Sequence, residues 1–280
     1  MFGEIRKMHK RLAAVILVLS LFFSVTGCSG KTPAASSSAG ITADAEYREL
    51  TGNVVVFGTS IWAIEPGPTG ISSVLEQITS FKVTDFSMLG GLATRIASDS
   101  FSDISLVSIL LYNKDRYSKN MREAVSKADY VILAFGGNDH SQGIPASGEG
   151  ESYENAMRIS VAAIKDLNPD VHIVLIAPLN GWTLIDGKHV AETEIDDGGG
   201  KLGDYIDATE RVAKDNGLLC VKMSDAIVFT QDEPEKFFAD GSHLTETGRR
   251  MYAEYLAEKM YGTYVSTNTQ GASGESGAST

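Results

Sequence analysis

The chain has few cysteines. Only Cys28 and Cys220 occur in 280 residues, too few for the disulfide framework of a small secreted scaffold, and no Cys and His spacing typical of a zinc site is present. A Gly-x-Ser-x-Gly sequence, which marks the nucleophile turn of the α/β-hydrolases, is also missing. These absences exclude a disulfide scaffold, a zinc module and one class of serine hydrolase.

Positive charge is scarce as well. Lysine and arginine total 24 against 36 aspartates and glutamates, which gives a formal net charge of −12. Without a basic stripe to neutralise phosphates, the chain is not expected to bind nucleic acid. Electrostatic docking on anionic lipid is disfavoured for the same reason.

One long apolar run occurs, near the N-terminus. Basic residues at positions 6, 7, 10 and 11 precede an apolar stretch from Leu12 to Val25, which is shorter than the roughly 20 residues that span a bilayer. The pattern predicts a secretory signal over residues 1–27. Its end, Val25-Thr26-Gly27-Cys28, resembles a bacterial lipobox.

That resemblance implies cleavage before Cys28 and a lipid on its sulfur. Two or more acyl chains hold a protein stably on a membrane, so the expected location is extracytoplasmic, lipid-anchored to the cell membrane. An ordinary cleaved signal and an uncleaved N-terminal anchor remain as alternatives. If Cys28 is lipidated, Cys220 is unpaired; its place in an apolar run predicts a buried strand residue.

The rest of the chain divides by composition. Residues 28–48 are rich in Ser, Ala, Thr and Gly and predict a flexible tether, and residues 263–280 have a similar composition and predict a disordered tail. Between them, residues 49–262 have the length of one domain. We find no internal repeat.

Alternating strand and helix patterns fill this domain. Between the strand-like runs, Tyr153–Leu167 and Leu202–Asn216 have helical periodicity, with Gly217 as the C-cap of the second, and a last helix is expected over Thr245–Met260. The order predicts a three-layer α/β/α fold around a five-stranded parallel sheet. The apolar, β-branched runs are Val54–Phe57, Lys82–Phe86, Tyr130–Phe135, His172–Ala177 and Leu218–Met223.

Three short motifs carry possible chemistry. Ser60 follows the first strand-like run, and Asn138 lies in Gly136-Gly137-Asn138-Asp139 after the third, so both are expected at the carboxyl edge of the sheet. Asp240 precedes His243 by three residues, a spacing that lets a carboxylate hold an imidazole as a base. Each motif alone is an ordinary turn sequence. Their combination in this order indicates a serine hydrolase.

The order and spacing of these motifs over residues 50–260 resemble those of the SGNH (GDSL-type) hydrolases. That family has a flavodoxin-like fold. The resemblance implies Ser60 as nucleophile, His243 as base and Asp240 as its orienting partner. It also implies an oxyanion hole formed by the Ser60 N–H, the Asn138 amide and a glycine N–H. By spacing that glycine is Gly90, with Gly91 as a second choice.

Two positions depart from the family pattern. Thr59 stands where the family has aspartate, and Asp85 stands where asparagine is usual. Neither change removes a group that performs chemistry in the family. The first nevertheless motivates a rival hypothesis, a glycan-binding lipoprotein that keeps the fold without useful turnover.

The resemblance implies an enzyme, a carboxylic ester hydrolase without metal or organic cofactor. The family acts on O-acetylated polysaccharides, lysophospholipids, short acyl esters and acyl thioesters. Display outside the cell favours O-acetyl esters on carbohydrate, with lysophospholipase, short-chain acyl esterase or thioesterase activity as alternatives. The expected partners are a small-molecule or polysaccharide ester and, through the lipid, a membrane. We expect a monomer.

The stretch from Asn180 to Gly203 has no regular pattern and is expected to border the site as a loop or lid. Trp182 within it is expected to plug this loop against the core, and His189 to be exposed. His140 is interpreted as either a substrate contact or a plain residue of an extended loop. Asp196 and Asp197 are adjacent on a loop, which does not suit the paired carboxylates of a glycosidase.

Overall fold

The computed structural model describes residues 47–95 and 105–274 of the 280. The predicted signal, Cys28 and all but the end of the predicted tether lie outside the described residues. The domain is built on a five-stranded parallel sheet in the order β2-β1-β3-β4-β7, which confirms the predicted fold. The strands are β1 Thr51–Gly58, β2 Ser80–Asp85, β3 Tyr130–Ala134, β4 His172–Ala177, β5 Trp182–Ile185, β6 Lys188–Ala191 and β7 Leu219–Lys222.

Apolar residues on both faces explain why the central strands form. In β1, Val55 and Phe57 are buried in one core cluster, whereas Val54 and Val56 are buried in the other. Successive strand side chains point to opposite faces, so a strand covered on both sides is apolar at nearly every position. The β-branched runs in the sequence show this pattern, which is expected of strands buried on both faces.

Helices cover the two faces of the sheet. Helices α3, α5 and α6 contribute to one core cluster, and α2 and α7 to the other. The helices are α1 Ser60–Ala63, α2 Ile71–Ile78, α3 Arg116–Val125, α4 Gly137–Ser141, α5 Tyr153–Leu167, α6 Leu202–Asn216 and α7 Glu246–Gly274; a π-helical segment covers Ser108–Tyr112, and 3₁₀ turns cover Tyr47–Glu49, Glu192–Glu194 and Met223–Asp225.

The predicted bounds of α5 and α6 are confirmed at both ends. The Ser152 side chain caps α5 by accepting a hydrogen bond from the Asn155 N–H, which satisfies one of the free N–H groups of the first turn. Gly217 ends α6 in the left-handed conformation, with φ of 66°, where glycine avoids the steric cost of a Cβ. Local sequence therefore determines where these helices begin and end.

The structure differs from expectation in three places. The last helix continues to Gly274, because no proline or left-handed glycine stops it at Met260, so it includes residues assigned to a disordered tail. The stretch from Asn180 to Gly203 contains an antiparallel hairpin, β5 and β6, rather than a wholly irregular loop. Residues Gly137–Ser141 form the short helix α4 rather than an extended loop.

The strand order creates a crevice between β1 and β3. The chain after β1 passes into α1 and α2 on one face, and the chain after β3 passes into α4 and α5 on the other. Ligand sites in open α/β sheets lie at the carboxyl ends of strands where the connections diverge in this way. Within the described residues, no helix combines the length and apolar character needed to cross a bilayer.

Candidate active site

Ser60 stands at the carboxyl end of β1. Gly58 ends the strand, Thr59 continues in an extended conformation, and Ser60 begins α1. An N–H in the first turn of a helix has no acceptor within that helix, so the Ser60 N–H is free for a ligand while its hydroxyl faces the crevice. Thr59, at the position of the family aspartate, is buried and makes no side-chain capping bond.

His243 joins Ser60 to Asp240. Its Nδ1 lies 2.7 Å from Asp240 Oδ2, and its Nε2 lies 3.0 Å from Ser60 Oγ. An ionised carboxylate only accepts hydrogen bonds, so Nδ1 carries the proton and Nε2 accepts from the serine hydroxyl. The structure thus brings together the three residues predicted as a triad, in hydrogen-bond contact along the chain Ser, His, Asp.

Asp240 remains ionised in this arrangement. Partial desolvation acts to raise its pKa, but the hydrogen bonds that it accepts from the His243 ring and from the backbone N–H groups of His243 and Ser242 outweigh that effect. The net result is a pKa below the usual aspartate value. The carboxylate is therefore available to orient the imidazole at neutral and mildly acidic pH.

The loop that carries Asp240 and His243 is closed at its base. An isolated bridge pairs Phe238 with Leu244, and both side chains are buried. Within the loop, the Ala239 N–H donates to the His243 carbonyl at 2.7 Å. Apolar anchors at the two ends therefore fix the position of an otherwise exposed turn.

Asn138 lies at the start of α4 and lines the same crevice as Ser60. Its amide donates to the Gly91 carbonyl at 2.9 Å. An amide has two N–H groups, so this bond fixes the side chain and leaves the second N–H for a ligand.

The turn after β2 separates the two candidate glycines. The Gly91 N–H is occupied by a bond to the Met88 carbonyl, and the Met88 N–H ties the turn to the Gly58 carbonyl at the end of β1. Gly90 is exposed in this turn, which favours Gly90 over Gly91 as a donor. Gly90 is not among the described residues that line the crevice.

Two aspartates hold the segment around Gly90 in place. Asp139 is fully buried and accepts hydrogen bonds from the N–H groups of Ala93 and Thr94. Burial raises the pKa of the Asp139 carboxyl, although the hydrogen bonds that it accepts act to lower it. Asp85, at the position of the family asparagine, accepts from the Ser87 N–H and the Ser72 hydroxyl. Asp85 therefore stabilises the turn through these two hydrogen bonds.

The crevice is a small cavity of about 120 Å³. Its lining combines mostly buried apolar residues at the ends of β3 and β4, which we call the floor, with more exposed hydroxyl, amide and carboxyl groups, which we call the rim. Such a volume is well below the roughly 300–1,000 Å³ of a drug-sized ligand pocket. The rim includes Ser60, Asn138, Ser141, Glu192 and Ser242, and the floor includes Ala134, Ile176, Ala177 and Leu179.

Glu192 is a titratable residue of this rim that the sequence did not indicate. It begins the 3₁₀ turn after β6 and accepts a hydrogen bond from the Ser242 hydroxyl at 3.3 Å. Desolvation raises its pKa to about 7. No local motif marks it, because its place in the cavity depends on how the hairpin packs over the sheet.

The remaining candidates have structural contacts. Trp182 is buried and donates from Nε1 to the Pro234 carbonyl, which confirms it as a plug. His189 packs edge-to-face on Trp182, with ring centroids 4.3 Å apart, and is not simply exposed. His140 lies in α4 rather than on an extended loop; it is buried, and Nε2 lies 3.1 Å from the Ile195 carbonyl, so it ties the segment after the hairpin to α4.

In the part of the chain that the structure describes, no cluster of three or more His, Cys, Asp or Glu side chains is arranged to hold an ion. Cys220 is a free thiol in β7, partly buried, and burial raises its pKa to about 11. It is therefore a poor nucleophile at neutral pH.

Comparison with known proteins supports one family. Residues 112–251 match the model of the GDSL-like lipase/acylhydrolase family, which is half of the chain. The chain belongs to this family. The matched segment begins after β1 and β2, so it contains Asn138, Asp240 and His243 but not Ser60.

Relatives and solved structures agree at the level of fold. The rice (Oryza sativa subsp. japonica) GDSL esterase/lipase WDL1 is 29% identical over 132 residues, covering 45% of this chain and 51% of its own; the chain thus spans about half the length of that curated relative. A possible lipase from Chitinophaga pinensis superposes with TM-score 0.54 and 17% identity, covering 74% of this chain and 96% of its own. Est24, a carbohydrate acetylesterase from Sinorhizobium meliloti, gives TM-score 0.52 and 13% identity, with 75% and 99% coverage.

Proposed function

We propose that this chain is a serine esterase that releases acetyl groups from O-acetylated carbohydrate. The observation that carries the proposal is the hydrogen-bonded chain from Ser60 Oγ through the His243 ring to Asp240, at 3.0 Å and 2.7 Å. An unactivated serine is a weak nucleophile, and an adjacent base held by a third group is the arrangement that activates it.

The geometry suits a two-step acyl transfer. His243 Nε2 takes the proton of Ser60 as its oxygen attacks the ester carbonyl, and Asp240 stabilises the imidazolium that forms. The Ser60 N–H and the free N–H of Asn138 hold the oxyanion, and Gly90, in the turn after β2, is the proposed third donor. His243 then passes the proton to the departing alcohol, and a water activated by the same ring releases the acid and restores the serine.

The size of the cavity favours a short acyl group. A volume of about 120 Å³ with an apolar floor at Ile176 and Leu179 suits a methyl group better than a long chain, which needs an extended trough. Est24, with the same fold, is a carbohydrate acetylesterase, which is in keeping with this choice.

The charge around the cavity disfavours phosphate esters. Asp240 is ionised, and Asp197 and Asp240 both act on Glu192 as negative neighbours. A lysophospholipid would bring its phosphate toward this acidic rim, at a cost in Coulomb energy. A neutral alcohol such as a sugar meets no such repulsion.

We also propose that the protein acts outside the cytoplasm from a lipid anchor. Support comes from the basic and apolar run before Val25-Thr26-Gly27-Cys28. Mass spectrometry of the mature protein should find a lipid on an N-terminal Cys28, and Cys28→Ala should leave the membrane fraction. A mature chain with an unmodified Cys28 would refute the anchor without touching the esterase proposal.

The decisive experiment for the activity uses Ser60→Ala. The wild-type protein should react with a fluorophosphonate probe and hydrolyse p-nitrophenyl acetate, whereas folded Ser60→Ala should do neither. Loss of a triad member costs several orders of magnitude in turnover. Ser141→Ala is a matched control, because that hydroxyl lines the same cavity but donates to the Asn138 backbone carbonyl and not to a histidine. Near-normal turnover in Ser60→Ala would end the proposal, and an inert wild-type protein would favour the glycan-binding rival.

Acyl length is tested with acetyl, butyryl and octanoyl esters of one alcohol. We expect kcat/KM to be highest for acetyl, since added methylenes find no further apolar surface. Acetate release from acetylated xylan is measured in parallel. A steady rise toward octanoyl, with no acetate from xylan, would instead support a lipid esterase.

A further inference from the structure

Glu192 brings a carboxyl group into the cavity of the nucleophile. The 3₁₀ turn that it begins follows the hairpin, and its backbone N–H donates to the Gly181 carbonyl at 3.1 Å, so the residue is anchored where it stands. Its side chain lines the same cavity as Ser60 and Asn138. It is thus part of the substrate-facing wall, outside the hydrogen-bonded chain of Ser60, His243 and Asp240.

The surroundings of this carboxyl group contain neutral and negative groups. Oε1 accepts the Ser242 hydroxyl at 3.3 Å. The charged groups that act on it most strongly are Asp197 and Asp240, both carboxylates, and together with desolvation they raise its pKa to about 7. Among the described residues, Glu192 forms no ion pair with a lysine, arginine or histidine.

A desolvated acid without a cation lowers stability once it ionises. Among the described residues, the groups that favour its ionised form are the Ser242 hydroxyl and the Gly181 backbone, both neutral. A substrate group that donates a hydrogen bond would supply a further partner. Hydrogen bonds to an ionised acceptor are roughly twice as strong as neutral ones, so such a contact discriminates strongly between substrates.

The layout of the cavity indicates which half of the ester makes this contact. The floor at Ile176, Ala177 and Leu179 is apolar and suits the acyl methyl group, whereas Glu192 lies with Ser141 and Ser242 on the polar rim. The rim is the more exposed part of the lining, so a bulky alcohol half fits on that side. A sugar alcohol carries free hydroxyl groups beside the esterified oxygen, and these are donors of the required kind.

We propose that Glu192 is a specificity-determining residue, whose carboxylate accepts a hydrogen bond from a free hydroxyl on the alcohol half of the substrate. The inference rests on the proposed esterase function and deepens it. It defines the preferred substrate as an ester of a polyol that is not fully acylated. A site built to bind a substrate hydroxyl rejects the analogue without one far more strongly than an apolar pocket rejects a missing methylene.

The test compares two acetates that differ only in free hydroxyls. The first is a mono-O-acetylated methyl xyloside, and the second is its deoxy analogue, in which hydrogen replaces each of the other hydroxyls. Acetate release gives kcat/KM for each, and their ratio is the readout. Glu192→Ala should lower the ratio at least tenfold, and the isosteric Glu192→Gln should lower it less, since an amide oxygen still accepts. Glu194→Ala, a change to the exposed carboxylate two residues along, should leave the ratio as in wild type.

Each possible result of this test supports or overturns the role of Glu192. A lower ratio in both Glu192 variants supports the proposal. Equal losses of kcat/KM on the two acetates would mean that Glu192 only positions the site, and unchanged kcat/KM on both would mean that the substrate does not contact it; the ratio stays as in wild type in both cases, which overturns the proposal. Ser60-dependent hydrolysis with an unchanged ratio rejects this inference alone, whereas absence of hydrolysis of any acetate by the wild type rejects the esterase function and this inference together.

Discussion

The backbone of Gly181 lies directly against that of Gly241. A Cβ at Gly181 would overlap the Gly241 carbonyl oxygen, and that same oxygen accepts the Trp182 N–H at 2.9 Å. Gly241 also has φ of 93°, a conformation that side chains other than glycine's rarely adopt. Contact between two glycines thus sets how closely the turn of Asp240 and His243 approaches the hairpin.

Gly181→Ala is therefore expected to displace that turn. The added methyl group forces the backbones apart, which should lower the free energy of unfolding by about 1–3 kcal/mol and turnover at least tenfold, because the His243 ring moves from Ser60. Thermal unfolding and p-nitrophenyl acetate kinetics measure both. The control is Gly203→Ala, where a Cβ meets nothing within 4 Å; it should be neutral or slightly stabilising. Unchanged turnover in a folded Gly181→Ala protein would contradict the role of this contact.

The fold was predictable because its signals are local or periodic. The parallel strands are buried on both faces, so they appear as continuous apolar runs, and α5 and α6 have a clear apolar stripe and a cap. The end of α7 was not predictable in this way. Its extension past Met260 has no local stop signal, and composition alone suggested a tail.

The hairpin of β5 and β6 has a turn sequence that predicts it. Asp186 and Gly187 join β5 to β6 with φ of 50° and 75°, the positive values of a type I′ turn, for which Asp-Gly is a preferred sequence. The polar and glycine-rich segment that follows obscured this short pattern. Recognising the turn would have predicted the two strands.

The candidate site also has a part that the sequence predicts and a part that depends on tertiary packing. Asp240 and His243 are three residues apart, so their contact follows from local geometry, and Ser60 and Asn138 follow from the order of parallel strands. Glu192 reaches the cavity only because the hairpin folds back over the sheet. Such a position depends on packing between distant segments, which one sequence does not encode in a short motif.

Asp240→Asn should reduce turnover while the protein stays folded. An amide in place of the carboxylate no longer fixes the proton on Nδ1 of His243, so a fraction of the rings is in the wrong tautomer. We expect a loss of about 10²- to 10⁴-fold in kcat. Since the pKa of Asp240 lies below the usual value, its carboxylate is ionised throughout pH 5–8, and the loss should have the same size across that range. A loss that disappears at pH 5 would show that Asp240 titrates there.

Asn138→Ala should lower kcat by about a hundredfold or more, with a smaller change in KM. The variant loses an oxyanion donor and keeps the nucleophile and base, so fluorophosphonate labelling should continue at a reduced rate. Asn155→Ala is a control on α5, where the amide donates to the Gly148 and Gly150 carbonyls. If Asn138→Ala hydrolyses acetate as fast as the wild type, Asn138 acts only in the turn.

Glu192→Gln should remove a pH-dependent loss of stability. The pKa of Glu192 is about 7 in the folded chain against 4.5 ordinarily, so between these values the unfolded chain releases a proton that the folded chain keeps. Stability therefore falls as pH rises through this window and is lower by about 3 kcal/mol above it. Glutamine does not titrate, and the variant should lack this loss.

Urea unfolding of both proteins at pH 4.5 and pH 8 measures the effect. All other titrating groups are shared, so the difference between wild type and variant in their pH dependence isolates Glu192. Glu194→Gln provides the matched exposed carboxylate and should retain the wild-type pH dependence. If Glu192→Gln loses as much stability between the two pH values as the wild type, the carboxyl is not a desolvated acid. In that case the cavity rim is more hydrated than the packing around Glu192 indicates.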